Sequence, residues 1–260
     1  MAFLDGRNVT KLEVMNYERL KSRHPEEIKK LVQASQGGGV FFLDLRGPAA
    51  NDALSDLQHI YTAQLQFFQK ASEDDKKASS AEEGQGGYQK HGDVELFNIP
   101  RVQELQGSYT LPIALDAVAP KLSSVSSFCD PVTRELFTLL VTSLDPPSPT
   151  TAGDNPEQPG ASLFQLGYSV APAGELLVPS HTGDGLVTLL FYREPSLEVP
   201  LEGNSEDWGI VEPIEGHHLV YIAKALQKIS GDRLRAPLHR VVEPREGAYL
   251  SVYLLHPSPQ

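Results

Sequence analysis

The chain has 260 residues, a formal net charge of −12 and one cysteine. This acidic balance, with a pI near 5.1, argues against a nucleic-acid partner, because phosphate binding requires clusters of lysine and arginine. A single cysteine excludes an intramolecular disulfide, and no uninterrupted apolar stretch reaches the roughly 18 residues of a membrane span. We therefore expect a cytoplasmic protein that contacts no membrane, and the oligomeric state stays open.

The first half of the chain predicts helices alternating with short strands. Residues 12–15 alternate like a strand, and a helix follows that starts near Pro25 and ends at residues 37–39, which are all glycine. Residues 40–45 form an apolar run typical of a buried strand. A long amphipathic helix is predicted next from apolar residues at helical spacing: Leu54, Leu57, Tyr61, Leu65 and Phe68.

The pattern changes toward strands and turns in the second half. Residues 72–87 are charged and then rich in serine and glycine, which favours a solvated loop. A further helix is predicted around residues 136–140, and residues 145–160 form a loop rich in Pro, Ser, Thr and Gly. Strands are predicted at residues 163–168, 197–199, 208–211 and 217–222, with a hairpin-like break at Gly203-Asn204.

Two histidines stand at strand ends. His181 closes one apolar strand and His239 opens another, so the two imidazoles can converge across a rolled sheet. A pair of neutral imidazoles suits Fe, Zn, Cu or Ni, although two ligands alone do not make a metal site. His217 and His218 are adjacent and face opposite sides of their strand, so we interpret them as structural or surface residues.

The residues around this pair resemble the isopenicillin N synthase-like branch of the Fe(II)- and 2-oxoglutarate-dependent oxygenases. The likeness lies in the spacing of His181 and His239, in residues 188–190, and in the segment from Ala225-Leu226-Gln227 to Leu238-His239-Arg240-Val241. It covers nearly the whole chain and implies a mainly β fold with α-helices (α+β). The core would be a double-stranded β-helix, or jelly roll, packed by N-terminal helices. It also implies one domain over residues 1–260, with a cap and support at 1–160 and the principal strands and the histidine pair at 161–257.

The chain departs from that family's pattern of His-x-Asp, a distal His and Arg-x-Ser. Gly183 stands where the family has its metal-binding carboxylate, and Asp184 follows one residue later, on the opposite face of a regular strand. Ala248 and Leu250 stand where the family anchors 2-oxoglutarate, and neither can replace a guanidinium that binds a carboxylate. Arg245 lies earlier and would need a different backbone path. If a metal binds, the predicted ligands are His181 and His239, with Asp184 as a further candidate.

The same resemblance implies residues that contact a small-molecule substrate. Tyr88 and Phe97 would lie in a segment over the mouth of the barrel, where surface packing is the alternative, and Tyr168 and Gln165 in a strand that supplies pocket residues. The predicted substrate-binding set is Tyr88, Phe97, Gln165, Phe191 and Leu250.

Loss of the carboxylate and of the anchor predicts that no cofactor is needed. We expect a non-redox step on a natural-product intermediate: cyclisation, isomerisation, elimination or dehydration. His181 or His239 would act as general acid or base near the usual histidine pKa of about 6.5, and Tyr168 would donate to a developing oxyanion. One alternative is an Fe(II)-dependent oxygenase or halogenase with an altered triad, since the family's halogenating variant has glycine at the carboxylate position. Another is a non-catalytic binding protein on the same scaffold.

Overall fold

The computed structural model describes residues 3–4, 6–80, 86–148, 155–201, 204–244 and 247–258. Its strands are β1 (Phe3–Leu4), β2 (Arg7–Val9), β3 (Val14–Asn16), β4 (Val40–Asp44), β5 (Gly87–His91), β6 (Val94–Pro100), β7 (Leu163–Ser169), β8 (Leu176–His181), β9 (Val187–Tyr192), β10 (Leu197–Leu201), β11 (Asn204–Ile210), β12 (His217–Ile222), β13 (His239–Val242) and β14 (Ala248–Leu255). Its helices are α1 (Tyr17–Lys21), α2 (Pro25–Gly37), α3 (Asn51–Lys70), α4 (Glu73–Ala78), α5 (Arg101–Gln106), α6 (Ile113–Asp116), α7 (Ala119–Ser143) and α8 (Lys224–Ile229). Within these ranges no helix combines the length and the apolar character that a membrane span requires.

The strands form two sheets. Within the described ranges, the larger sheet has the order β3-β4-β12-β9-β14-β7-β6-β5, and the smaller has the order β1-β2-β11-β10-β13-β8. Most neighbours are antiparallel, whereas β3 with β4 and β2 with β11 are parallel. The two sheets, with helices against the larger one, confirm the predicted double-stranded β-helix.

Two hydrophobic clusters hold these layers together. Alternation along β9 and β14 sends Phe191 and Tyr253 to one face of the larger sheet, where they join the buried faces of α3 and α7. Leu190 and Val252 point the other way and pack with Val199 of the smaller sheet. The space between the sheets is therefore lined by apolar side chains from both.

The connection from α2 to β4 shows how local sequence sets the fold. Pro25 occupies the first turn of α2, where its missing N–H is not needed. Gly39 follows the helix with a φ of 72°, and a Cβ there would collide with the backbone carbonyl of Arg235. Glycine at this position lets the chain turn tightly into β4, which then pairs with β12.

The region predicted as a solvated loop at residues 72–87 contains a helix. Ser72 caps α4 by accepting a hydrogen bond from the backbone N of Asp75 at 3.1 Å. Lys76 of this helix is buried and donates to Glu95 at 2.7 Å. The charged composition concealed a short helix that is joined to β6 by a buried ion pair. Residues 81–85 and 149–154, within two predicted loops, lie outside the described residues, as does Gly203 of the predicted hairpin break.

Candidate active site

His181 and His239 are brought together by strand pairing. They are cross-strand neighbours at the ends of β8 and β13, and their ring centroids lie 4.3 Å apart. His239 is 3% exposed, whereas His181 is exposed. The geometry thus gives one buried and one accessible imidazole at the opening of the space between the sheets.

Each imidazole is oriented by a backbone carbonyl two residues earlier. The Nδ1–H of His181 donates to the Pro179 carbonyl at 2.9 Å, and that of His239 donates to the Pro237 carbonyl at 3.2 Å. This arrangement leaves the Nε2 lone pair of each ring available. A metal-binding histidine characteristically has its other ring nitrogen held in this way.

Burial keeps His239 neutral. Desolvation lowers its pKa to about 4, and the neighbouring His181 acts in the same direction, while the hydrogen bond to Pro237 opposes both. Tyr221 also packs against the His239 ring, with centroids 4.6 Å apart, and its own pKa is raised by burial to about 12. Near neutral pH, His239 therefore presents a lone pair rather than a proton.

The two histidines lie on a cavity of about 400 Å³ between the sheets. Gln165, Leu250 and Asp184 of the predicted set also line it. Larger depressions of about 550 and 790 Å³ have neither histidine in their linings. The cavity lining includes Val94, Leu96, Leu177, Val178, Leu190, Leu197, Val241, Val252 and Leu254.

The structure places three predicted substrate-binding residues away from this cavity. Phe191 points to the helical side of β9, where its ring packs on His218 at 4.6 Å. Tyr88 and Phe97 are cross-strand partners, and both rings pack against Phe67 of α3. The prediction that these three residues contact the substrate is therefore corrected. A sequence pattern predicts a strand, but it does not tell which face of that strand is turned to the cavity.

Tyr168 borders the cavity, but its ring lies on the other face of β7. It stacks on Phe68 at 5.6 Å and on Tyr249 at 5.3 Å. The predicted oxyanion role of its hydroxyl therefore conflicts with the direction in which the side chain points.

At Gly183, where the family has its metal-binding carboxylate, no neighbouring side chain takes over that role among the described residues. A Cβ built at Gly183 would lie 3.3 Å from Cε2 of Tyr221 and 3.4 Å from Cβ of Ala223. The side chain of Asp184 is 81% exposed and pairs with Nζ of Lys224 at 3.2 Å. Among the residues that the structure describes, no group of three or more His, Cys, Asp or Glu is placed to hold a metal ion.

The 2-oxoglutarate anchor positions are apolar in the structure as well. Ala248 is buried opposite Ser169, and Leu250 lies opposite Gly167. No lysine or arginine occurs among the described residues of the cavity. Arg245, the other candidate cation, lies outside the described residues.

Tyr221 and His256 are among the cavity residues that sequence reasoning missed. Tyr221 lies on β12 beside the two histidines that were considered there, and the period of two in that strand could have separated it from His218. His256 follows β14, and burial lowers its pKa. Its approach to the cavity depends on how β14 closes the sheet, for which the sequence carries no local signal.

Fold and site together define a double-stranded β-helix protein with a histidine pair facing an apolar cavity. No family model matches the chain. It is 26% identical over 277 residues to the 2-oxoglutarate-dependent dioxygenase ecdG of Aspergillus rugulosus, covering 94% of this chain and 80% of the relative. It is 24% identical over 249 residues to a 2-oxoglutarate-dependent dioxygenase of Gibberella zeae, covering 89% and 74%. A full-length Neurospora crassa protein crystallised in complex with α-KG superposes with a TM-score of 0.78 at 20% identity, covering 98% of this chain and 86% of that one. These relatives confirm the resemblance to the Fe(II)- and 2-oxoglutarate-dependent oxygenases that was drawn from the sequence.

These comparisons contradict the predicted chemistry. The expectations of a metal-independent cyclase, isomerase or lyase and of no cofactor are wrong, because the relatives are named as 2-oxoglutarate-dependent dioxygenases. The structure supplies a physical reason. With its pKa lowered to about 4, His239 is a weak base near neutral pH, while its oriented neutral imidazole suits a metal. The oxygenase alternative is the better supported one.

Proposed function

We propose that this protein is an Fe(II)-dependent oxygenase that acts on a small molecule, with His181 and His239 as iron ligands. The observation that carries the proposal is the geometry of the pair: rings 4.3 Å apart, each with Nδ1 held by a carbonyl and Nε2 free. The relatives are named as 2-oxoglutarate-dependent dioxygenases, which supports oxygenase chemistry. Bound iron would supply the oxygen-activating redox chemistry that protein side chains lack.

The residues present fit the metal in part. Two imidazoles and one carboxylate are the ligands that non-haem Fe(II) oxygenases use, and the imidazoles are in place. Asp184 is the one carboxylate among the described cavity residues. For Asp184 to act as a ligand, it would have to leave Lys224, an exchange that costs little because both side chains are exposed.

The residues present do not fit a 2-oxoglutarate carboxylate at the family's anchor positions. Ala248 and Leu250 offer neither charge nor hydroxyl, and no other described cavity residue is a cation. The roles proposed for this chain's own residues are therefore limited to holding the metal and enclosing the substrate. The predictions of a natural-product substrate and of a cytoplasmic location remain part of the proposal.

Metal binding tests the proposal directly. Anaerobic titration calorimetry of metal-free protein with Fe(II) should show one site. His181→Ala and His239→Ala should each weaken Fe(II) binding. The loss should exceed the roughly 10–100-fold that follows removal of a residue hydrogen-bonded to a metal ligand. His59→Ala is the matched control, because His59 is exposed on α3. Oxygen consumption that depends on Fe(II) should follow the same order among the variants. An unchanged affinity in His239→Ala, or no Fe(II) binding by the unmodified protein, contradicts the proposal.

Gly183 favours halogenation as a second candidate. In the halogenating variant of the family, a glycine at this position leaves room for a halide. Turnover that requires chloride, with a chlorinated product seen by mass spectrometry, would support this candidate over oxygenation. Turnover that is equal with and without chloride would exclude it.

A further inference from the structure

Aliphatic side chains from both sheets form the interior of the cavity beyond the histidine pair. Six of them are Leu96, Leu177, Leu190, Leu197, Val252 and Leu254. The volume of about 400 Å³ lies at the lower end of the roughly 300–1,000 Å³ typical of small-molecule sites. A ligand that fills the cavity has most of its surface removed from water and placed against apolar side chains. This transfer favours the binding of an apolar ligand.

The cavity offers no counter-ion to a charged ligand in its interior. Among the described lining residues there is no lysine or arginine, and Asp184 is the sole carboxylate. Asp184 is solvent-exposed and already paired with Lys224. An ammonium or carboxylate placed among the aliphatic side chains would lose its hydration without gaining a partner, which disfavours its binding.

Gln165 gives the apolar wall a polar group with a defined orientation. Its Nε2 donates to Oδ1 of Asn98 at 2.8 Å, and Asn98 is buried on the neighbouring strand β6. One N–H of the amide is thus engaged, and this bond fixes the orientation in which the carbonyl oxygen of Gln165 can accept. The group that satisfies it from a ligand is a hydroxyl or an N–H.

Leu250 limits the depth of the cavity. It lies opposite Gly167 in the ladder between β14 and β7, and a Cβ built at Gly167 would be 2.7 Å from its Cδ1. The leucine side chain therefore rests directly on the glycine and occupies space that a larger ligand would need.

We propose that the substrate is a neutral, mostly apolar small molecule with a hydrogen-bond donor, for which Gln165 is the acceptor and Leu250 limits the size. That this molecule is a substrate rests on the proposed function, whereas the class of ligand that binds rests on the cavity itself. The proposal does not extend to a co-substrate that chelates iron, because bound metal offsets the charge of such a group.

The test uses three probes that share a naphthalene ring and differ in their polar group: 2-naphthalenemethanol, 2-naphthoate and 2-naphthylmethylamine. Calorimetric titration into metal-free protein at neutral pH should show the alcohol binding at least tenfold more tightly than either ion, a difference of about 1.4 kcal/mol. Equal or tighter binding of an ion, or no binding of the alcohol, overturns the proposal.

Variants of the two named residues assign the effect to this cavity. Leu250→Lys should reverse the preference toward 2-naphthoate, and Leu250→Ala should admit the larger 9-anthracenemethanol. Gln165→Leu should weaken the alcohol by up to about tenfold, the value of one net hydrogen bond. Leu105→Lys and Leu105→Ala are matched controls, because Leu105 is exposed on α5.

The Leu250→Ala result stands if Leu250→Lys does not fold, which melting temperatures will show. Unchanged probe selectivity in both Leu250→Ala and Gln165→Leu overturns the assignment. Fe(II) titration is carried out separately. A protein that binds no iron but keeps the probe order refutes the proposed function alone, and one that binds iron but prefers an ion refutes the ligand class alone.

Discussion

At the residue scale, Gly183 decides how the proposed metal site differs from the family pattern. Its φ lies outside the left-handed region, so a side chain there is not strained by the backbone. The contacts of 3.3 Å to Tyr221 and 3.4 Å to Ala223 require shifts of only a few tenths of an ångström. Glycine is therefore not required by the fold at this position.

Gly183→Asp should restore a carboxylate ligand beside the histidine pair. We expect Fe(II) affinity to rise at least about tenfold, or ~1.4 kcal/mol, because a hard oxygen anion completes the donor set that Fe(II) prefers. Anaerobic calorimetry measures the change, and Gly183→Asn is the matched control of equal size without charge. If the two variants bind Fe(II) equally, residue 183 does not supply a ligand in this protein.

At the element scale, one side chain joins α3 to the strands that bear Gly167 and Leu250. Nε2 of Gln64 donates to the carbonyls of Gly167 at 2.6 Å and of Leu250 at 3.0 Å. Gln64 is fully buried. It thus fixes the helix against the two strands that form one wall of the cavity.

Gln64→Leu should lower the free energy of unfolding by about 2–6 kcal/mol, because each of the two carbonyls left without this donor costs about 1–3 kcal/mol. Urea denaturation gives the value. Gln66→Leu, on the exposed side of the same helix, should change it by less than about 0.5 kcal/mol. A loss of stability in Gln64→Leu no greater than that in the control would show that these hydrogen bonds contribute nothing net.

The sequence was sufficient to predict α3, because its apolar residues recur at helical spacing, and to predict most strands of the second half. It could not predict the role of Gln64, since a polar residue near the apolar face of a helix has no visible partner until the sheet is placed. The same limit applies to Phe191 and Tyr168. Alternation showed that neighbours point to opposite faces, but which face met the cavity depended on the packing of α3.

At the scale of the whole molecule, the larger sheet unites distant parts of the chain. β3 to β6 come from the first hundred residues, and they flank β7, β9, β12 and β14 from the second half. β2 also pairs with β11 in the smaller sheet. These pairings join residues far apart in sequence, so no local pattern could predict them. The division into a cap at 1–160 and principal strands at 161–257 remains a prediction, and both parts contribute strands to one sheet.

Acid should destabilise the molecule through its buried histidines. His218 packs on Phe191, neither of its ring nitrogens has a hydrogen-bond partner, and burial lowers its pKa to about 4. The unfolded chain, with a histidine pKa near 6.5, binds a proton more readily. The free energy of unfolding should therefore fall as the pH drops from about 6.5 toward 4, by up to about 3 kcal/mol from this group. His239 and His256, whose pKa values are also lowered by burial, act in the same direction.

His218→Phe should flatten the curve of unfolding free energy against pH, measured by urea denaturation between pH 4 and 7. The control His91→Phe, at an exposed position, should leave the slope of that curve unchanged. A slope in His218→Phe as steep as that of the unmodified protein would mean that His218 takes up its proton equally well in the folded state.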